Sequence, residues 1–197
     1  FKTFINALKV KDVRNRILFT LWILLVFRIG CNITIPGVDP ATVQSALDSM
    51  LGTEANALLG MFSGGSLEQM SIFALNVTPY ITSSIIIQLL TIAIPALEEM
   101  QRDGEDGRKK MTAITRYVTV VLGIIEAAGL SISLQRANAL GADANALTVV
   151  TIIITLTAGS TLVMWLGERI TEKGIGNGIS IILLINIVSR MPNDFRN

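Results

Sequence analysis

Two stretches of this chain carry no charged side chain and are long enough to cross a lipid bilayer. Residues 69–97 and 144–167 contain no Asp, Glu, Lys or Arg, although 16% of the whole chain is charged. About 20 consecutive apolar residues span the roughly 30 Å of hydrocarbon in a membrane. A buried helix of a soluble domain seldom needs that length. The sequence therefore predicts an integral membrane protein.

The residue types that are missing exclude several classes of chemistry. The chain has no His, so imidazole metal ligation and His-based acid–base or nucleophilic catalysis are excluded. Cys31 is the only cysteine, which excludes an internal disulfide and a C-x-x-C metal or redox site. A net charge of +1 gives no reason to expect a nucleic-acid site. We expect no catalysis, cofactor or metal.

Apolar runs and the charges that flank them predict an all-α bundle of five transmembrane helices. The predicted spans are about 17–35, 71–96, 114–134, 146–167 and 175–189. Basic residues are numerous before span one and between spans two and three, whereas only Arg136 lies between spans three and four. By the positive-inside rule the N-terminus is cytoplasmic and Asn197 lies outside. A similar unit that followed an odd number of crossings would be inverted, as in inverted-repeat membrane proteins.

Polar groups inside these spans allow two interpretations. The interior of span two carries the following polar residues and proline: Asn76, Thr78, Pro79, Thr82, Ser83, Ser84 and Gln88. They indicate either helix packing with a kink at Pro79, or a helix that faces a water-filled path. Arg28 and Glu126 both fall near mid-span, where they either pair with each other, or Arg28 extends to the membrane surface or pairs with a group that is not in this chain.

Two further segments break the helical pattern. Residues 56–70, NALLGMFSGGSLEQM, are apolar on one side and interrupted by Gly64 and Gly65. They predict either a re-entrant helix enclosed by protein or a surface amphipathic helix. Gly174, Gly176 and Gly178 form a G-x-G-x-G series before the fifth span. This spacing matches neither the dinucleotide fingerprint nor a P-loop, so we expect no nucleotide there.

Long motifs resemble a known family. The runs FSGGSLEQMSIFALNVTPYITSSIIIQLL (62–90) and MWLGERITEKGIGNGISI (164–181) resemble the signature regions of SecY, the central subunit of the bacterial Sec protein-conducting channel. VFRIG, PGVD and GEDGRKK follow the same family in the same order, so the resemblance covers essentially the whole chain. It implies the first half of a ten-helix clamshell built from two inverted five-helix halves. GIGNGIS is then a tight junction between a loop and a helix.

The resemblance also implies partners and an environment. The partners are SecE, SecG, the motor ATPase SecA or a ribosome, signal sequences and nascent polypeptides, and the C-terminal half of the same protein. The environment is the lipid bilayer of the bacterial cytoplasmic membrane. The implied function is to pass unfolded polypeptide across that membrane or sideways into it.

The same resemblance implies a role for particular residues. The pore ring receives Val77 and Ile81 from span two and Leu183 and Ile187 from span five, each pair spaced i, i+4 on one helix face. Thr82 and Glu126 lie along the lateral gate. Residues 56–70 resemble the plug, with the following members: Leu58, Leu59, Met61, Phe62, Ser63, Gly64 and Gly65. We refer to residues 56–70 as the plug segment.

Two rival functions follow from the residues alone. In a secondary transporter with discontinuous helices, Asn76, Thr78, Gln88 and Glu126 bind a small solute and a coupling ion. An intramembrane hydrolase is disfavoured because His and paired carboxylates on a helix are missing.

Overall fold

The computed structural model describes residues 10–140 and 145–194, with side chains described up to residue 189. Within these residues the regular structure is helical, and the extended pairings are two isolated bridges, Thr34 with Ser71 and Val38 with Leu140. The helices are α1 (Lys11–Gly30), α2 (Pro40–Leu51), α3 (Thr53–Ser63), α4 (Thr78–Ala93), α5 (Pro95–Arg102), α6 (Gly104–Arg136), α7 (Ala146–Lys173) and α8 (Gly178–Asp194). The predicted all-α class is confirmed.

Two of these helices are long and apolar enough to cross a membrane. They are α6 and α7, and a third span is reached if α4 and α5 count as one bent element. Helix α1 has 20 residues, but three or more charged residues fall in every 18-residue stretch of it. Helix α8 has 17 residues. The five membrane crossings therefore stay a prediction.

The largest departure from the predicted spans is in span two. Residues 71–77 form buried turns, and helix α4 begins only at Thr78. Asn76 adopts φ +52°, which interrupts a helix, and Pro79 lies in the first turn, where its missing N–H breaks no hydrogen bond. Pro79 therefore marks the start of a helix, and the expected kink at this residue is wrong. The prediction failed because the hydropathy of residues 71–77 shows that the segment is uncharged, but does not show whether its backbone is helical.

The buried turns are tolerated because their polar groups have partners. The Ile72 N–H donates to the Ile33 carbonyl at 3.0 Å, and the Ile35 N–H donates to the Met70 carbonyl at 3.0 Å. Helix α1 ends at Gly30, and residues 33–35 of the predicted first span pair with these turns instead. Irregular backbone at membrane depth is viable only when protein encloses it.

At its other end helix α4 turns sharply. Ile94 is extended, with φ −116° and ψ 110°, and α5 departs from α4 at 104°. The residue before a proline disfavours the α conformation, and Pro95 follows Ile94 directly. The predicted span 71–96 is therefore three pieces, of which the straight helix covers Thr78–Ala93.

Two clusters of buried side chains form the core. One joins the segment around α2 and residues 70–75 to the facing ends of α6 and α7. The other joins α1, the start of α4, the second half of α7 and α8, and includes the stacked rings of Phe27 and Phe73, with centroids 5.5 Å apart. Small polar side chains also join neighbouring helices. The hydroxyls of Ser83 and Thr119 are hydrogen-bonded at 2.6 Å and link α4 to α6.

Candidate functional site

A cavity of about 380 Å³ brings half of the sequence-predicted site residues together. We call it the first cavity. It lies between α3, the beginning of α4 and α8. Its lining residues are Leu59, Phe62, Ser63, Leu67, Ala74, Asn76, Val77, Thr78, Ile81, Thr82 and Leu183. Three of the four predicted ring residues, three predicted plug residues and Thr82 therefore face one space.

The beginning of α4 places Val77 and Ile81 in this cavity. Val77 is the N-cap residue, and its carbonyl accepts the N–H of Ile81 at 3.0 Å. The two side chains thus stand one turn apart, as the i, i+4 spacing predicts. The prediction that both lie well inside a long helix is wrong, because the helix starts between them and the preceding chain consists of turns.

A second cavity, of about 590 Å³, lies on the other side of Ile81. Its lining residues are Tyr80, Ile81, Ser84, Ile85, Gln88, Thr112, Arg116, Glu168, Thr171, Glu172, Asn177 and Ile179. It is more polar than the first, and Arg116 and Glu168 form an ion pair of 2.9 Å at its wall. Ile81 is the side chain that both sets share within the described residues. One aliphatic side chain therefore borders both cavities.

The plug segment contains a helix that ends earlier than residue 70. Helix α3 runs over Thr53–Ser63 and stops at Gly64, whose φ of +64° gives a left-handed C-cap. Gly65 also has a positive φ, of +82°, and turns follow as far as residue 77. Asn56, Gly60 and Ser63 form the buried side of α3. The apolar side chains Leu58 and Phe62 are 58% and 56% exposed, whereas Met61 is half-buried.

Side chains from outside the plug helix hold its C-terminal end. Asn76 Nδ2 donates to the Phe62 carbonyl at 3.2 Å, and Arg28 Nη1 donates to the Gly64 carbonyl at 3.2 Å. Arg28 and Glu126 form no ion pair within the described part of the chain, so the possible pair between them is not made. Arg28 instead donates to a backbone carbonyl of this chain, a partner that neither alternative predicted.

The predicted gate residues do not share one site. Glu126 is half-buried on α6 and lines neither cavity, whereas Thr82 lines the first cavity and donates to the Thr78 carbonyl of its own helix at 3.0 Å. Ile187 is half-buried on α8, one turn after Leu183, but is not among the lining residues. The lateral gate and the fourth ring residue stay predictions.

The four groups of the rival transporter site do not converge. Asn76 and Thr78 line the first cavity, Gln88 lines the second, and Glu126 lines neither. No cluster of three or more acidic or cysteine side chains suited to a metal ion occurs in residues 10–140 and 145–194.

The glycine series forms a close-packed junction between α7 and α8. A Cβ on Gly178 would collide with the Gly167 carbonyl oxygen, and a Cβ on Gly174 would lie 2.5 Å from Thr20 Oγ1. Gly176 has a φ of +66°. The glycines thus allow α8 to begin directly against α7.

Sequence reasoning missed Asn186. This residue lies on α8 between Leu183 and Ile187, is completely buried, and neither polar atom of its amide has a hydrogen-bond partner among the described residues. A signal was present in the sequence, because Asn186 is the one amide inside an otherwise apolar helix, Gly178–Ser189.

Comparisons with known proteins identify the family of this chain. The family profile described as SecY matches residues 71–197. The chain belongs to the SecY family. The SecY translocase subunit of Corynebacterium glutamicum is 43% identical over 98% of this chain, and that of Streptomyces scabiei is 44% identical over 96%. The SecY subunit of Mycobacterium tuberculosis is 41% identical over 96%.

The chain spans about half the length of the curated SecY proteins that it matches, covering 46% of the first two. Among solved structures, Sec61 in a canine ribosome–channel complex from the endoplasmic reticulum is similar, with a TM-score of 0.57, 20% identity, and coverage of 92% of this chain and 38% of that one. A structure described as a protein-conducting channel gives the same values. These neighbours show the shared SecY-type fold.

Proposed function

We propose that this chain is the N-terminal half of a channel subunit that passes unfolded polypeptides across the bacterial cytoplasmic membrane and releases membrane segments into it. The channel is completed by the C-terminal half of the same protein and by SecE and SecG. SecA or a ribosome supplies the polypeptide, and the driving energy comes from them. The channel itself carries out no covalent chemistry.

The observation that carries this proposal is the position of Ile81 between the two cavities. A narrow apolar point between two wider spaces resists wetting by ions when no substrate is present. An aliphatic ring also has no charge and no hydrogen-bonding preference for a passing sequence. Val77 and Leu183 stand beside Ile81 in the first cavity, which supports a ring, and Ile187 is proposed as its next member on α8.

The exposed apolar face of α3 supports the role of the plug segment. Leu58, Leu59 and Phe62 are exposed in this half, while the opposite side of α3 packs against α2 and α8. In a complete channel the second half covers this face, so the plug segment lies between the halves and blocks the first cavity. A surface amphipathic helix would bury its apolar side and expose its polar side. Helix α3 does the reverse, since polar Asn56 and Ser63 are buried, and this favours an enclosed helix.

The orientation and the gate complete the proposal. The clustered basic residues support an orientation with the N-terminus and the second cavity on the cytoplasmic side and residue 197 outside. Thr82, at the edge of the first cavity, and Glu126 on α6 are proposed to lie along the lateral path to lipid.

Crosslinking of a stalled substrate tests this function. A photoactivatable amino acid at position 81 of the complete, assembled channel is expected to capture a polypeptide arrested during passage. The same amino acid at Val121, which is exposed on α6 and lines neither cavity, is the matched control and is expected to crosslink lipid instead. Equal capture at both positions, or capture only at Val121, would reject the proposed path.

A further inference from the structure

Arg28 caps the C-terminal end of the plug helix. Its guanidinium donates to the carbonyl of Gly64, 36 residues along the chain, at 3.2 Å. The last carbonyls of a helix have no partner within it and carry partial negative charge, so a cation placed there is stabilising. Arg28 belongs to α1, which is a different element from the plug segment. The contact therefore holds the end of the plug to the body of the protein.

Asn186 lies against the same glycine, on the side that Arg28 also approaches. A Cβ built on Gly64 would lie 2.8 Å from Asn186 Oδ1 and 3.2 Å from Arg28 Nη1. Asn186 is 0% exposed, and both polar atoms of its amide lack a partner among the described residues. A buried polar group without a hydrogen bond destabilises the state in which it occurs. In this structure, in which the plug helix packs against α8, the amide has no partner among the described residues.

We propose that Arg28 is a positioning residue with two alternative acceptors: the Gly64 carbonyl when the plug is seated, and Asn186 Oδ1 when the plug withdraws. This inference rests on the proposed channel function. Arg28 and Asn186 sit on α1 and α8, while Gly64 moves with the plug segment. A guanidinium remains charged and has five donors, so it needs an acceptor in both states. Asn186 supplies that acceptor and so reduces the cost of releasing the plug.

The two residues therefore have opposite effects on opening. Arg28→Met removes the cap that holds the plug and is expected to raise the open fraction. Asn186→Leu, which has a similar volume, removes the unpaired amide from the closed state and the acceptor from the open state, and is expected to lower the open fraction. Each change is expected to be about tenfold, because hydrogen bonds to charged groups are stronger than neutral ones. Arg28→Lys keeps a cationic donor and is expected to restore most of the closure.

The test measures single-channel conductance of the complete, assembled complex without substrate, for each variant and for the double variant. All are repeated in a background in which residues 58–68 are deleted. There the plug is missing, so the effect of Arg28→Met on idle conductance is expected to vanish. In that background the thermal midpoints of Arg28→Met, Asn186→Leu and the double variant are expected to be non-additive, because the two side chains now bond each other.

The outcomes separate this inference from the proposed function. If deleting residues 58–68 leaves idle conductance unchanged, the plug and the channel proposal fail. If that deletion raises conductance but Arg28→Met does not, Arg28 is not the anchor. If Asn186→Leu raises conductance as Arg28→Met does, the amide only packs in the closed state and the exchange of acceptors is rejected. Should Arg28→Met fail to assemble, the sign of the Asn186→Leu effect decides the question.

Discussion

The amide of Asn76 joins the end of the plug helix to the beginning of α4. Its Nδ2 donates to the Phe62 carbonyl at 3.2 Å, and its backbone has a φ of +52°. The same residue thus ends the buried turns, positions the chain for the first turn of α4 and holds a carbonyl of the plug segment. Val77 follows Asn76 directly, so the residue that holds the plug helix and the first ring residue are neighbours in the sequence.

Asn76→Gly tests this hydrogen bond without disturbing the backbone. Glycine adopts a positive φ at no steric cost, so the change removes the bond to Phe62 and little else. We expect idle conductance of the assembled channel to rise roughly fivefold, as for the loss of about 1 kcal/mol. Asn138→Gly is the matched control, since Asn138 also has a positive φ, of +54°, but is exposed at the end of α6. Equal conductance in the two variants would show that Asn76 does not hold the plug helix in place.

Ile81→Asn tests the separation between the two cavities. An amide at this position holds water where the idle channel depends on dewetting, so ion conductance without substrate is expected to increase. The protein yield is expected to hold, because the side chain borders cavities on both sides. Ile125→Asn, on the exposed face of α6, is expected to lower the yield, since an unpaired amide in hydrocarbon costs one to several kcal/mol. Normal conductance with reduced yield for Ile81→Asn would take this residue out of the ring.

The sequence predicted the helical class of the chain better than where the helices begin and end. Helix α6 was expected over 114–134 but starts at Gly104, because hydropathy detects the apolar part and not the charged, helix-favouring turns before it. The α4 boundary was misplaced for the opposite reason: residues 71–77 are apolar enough to read as a span, yet Asn76 and Pro79 determine a later start.

The sequence indicated which residues belong to the site, but not which groups those residues contact. Val77, Ile81 and Leu183 were predicted through family resemblance, since an aliphatic side chain in a membrane helix carries no signal of its own. The partner of Arg28 is a backbone carbonyl, which has no residue signature in a sequence. Asn186 had a signature, but its position opposite Gly64 follows from how α8 packs against the plug helix.

Cysteine labelling tests the proposed orientation, and the structure decides where the labels go. Gly107 is a poor site although it lies in the charged connection, because a Cβ there would collide with the Met100 carbonyl. Lys109→Cys, at an exposed position, is expected to react with an impermeant thiol reagent from the cytoplasmic side, and exposed Thr53→Cys from the outside. Both are made in a Cys31→Ala background, although native Cys31 is buried. Reversed labelling would overturn the topology and the assignment of the two cavities.

Gly178→Ala tests whether the glycine series serves as a packing junction. A Cβ at Gly178 would overlap the Gly167 carbonyl and lie 2.8 Å from Ile170 Cβ, so α8 must move away from α7. Overpacking of this kind typically lowers the free energy of unfolding by about 1–3 kcal/mol. Gly129→Ala is the matched control: Gly129 lies inside α6 and a Cβ there meets nothing within 4 Å. That change is expected to stabilise the helix by about 0.5–1 kcal/mol, because alanine loses less backbone entropy on folding. Thermal midpoints of the assembled complex in detergent should therefore move in opposite directions, and a Gly178→Ala midpoint at or above the parental value would show that α8 does not depend on this close approach.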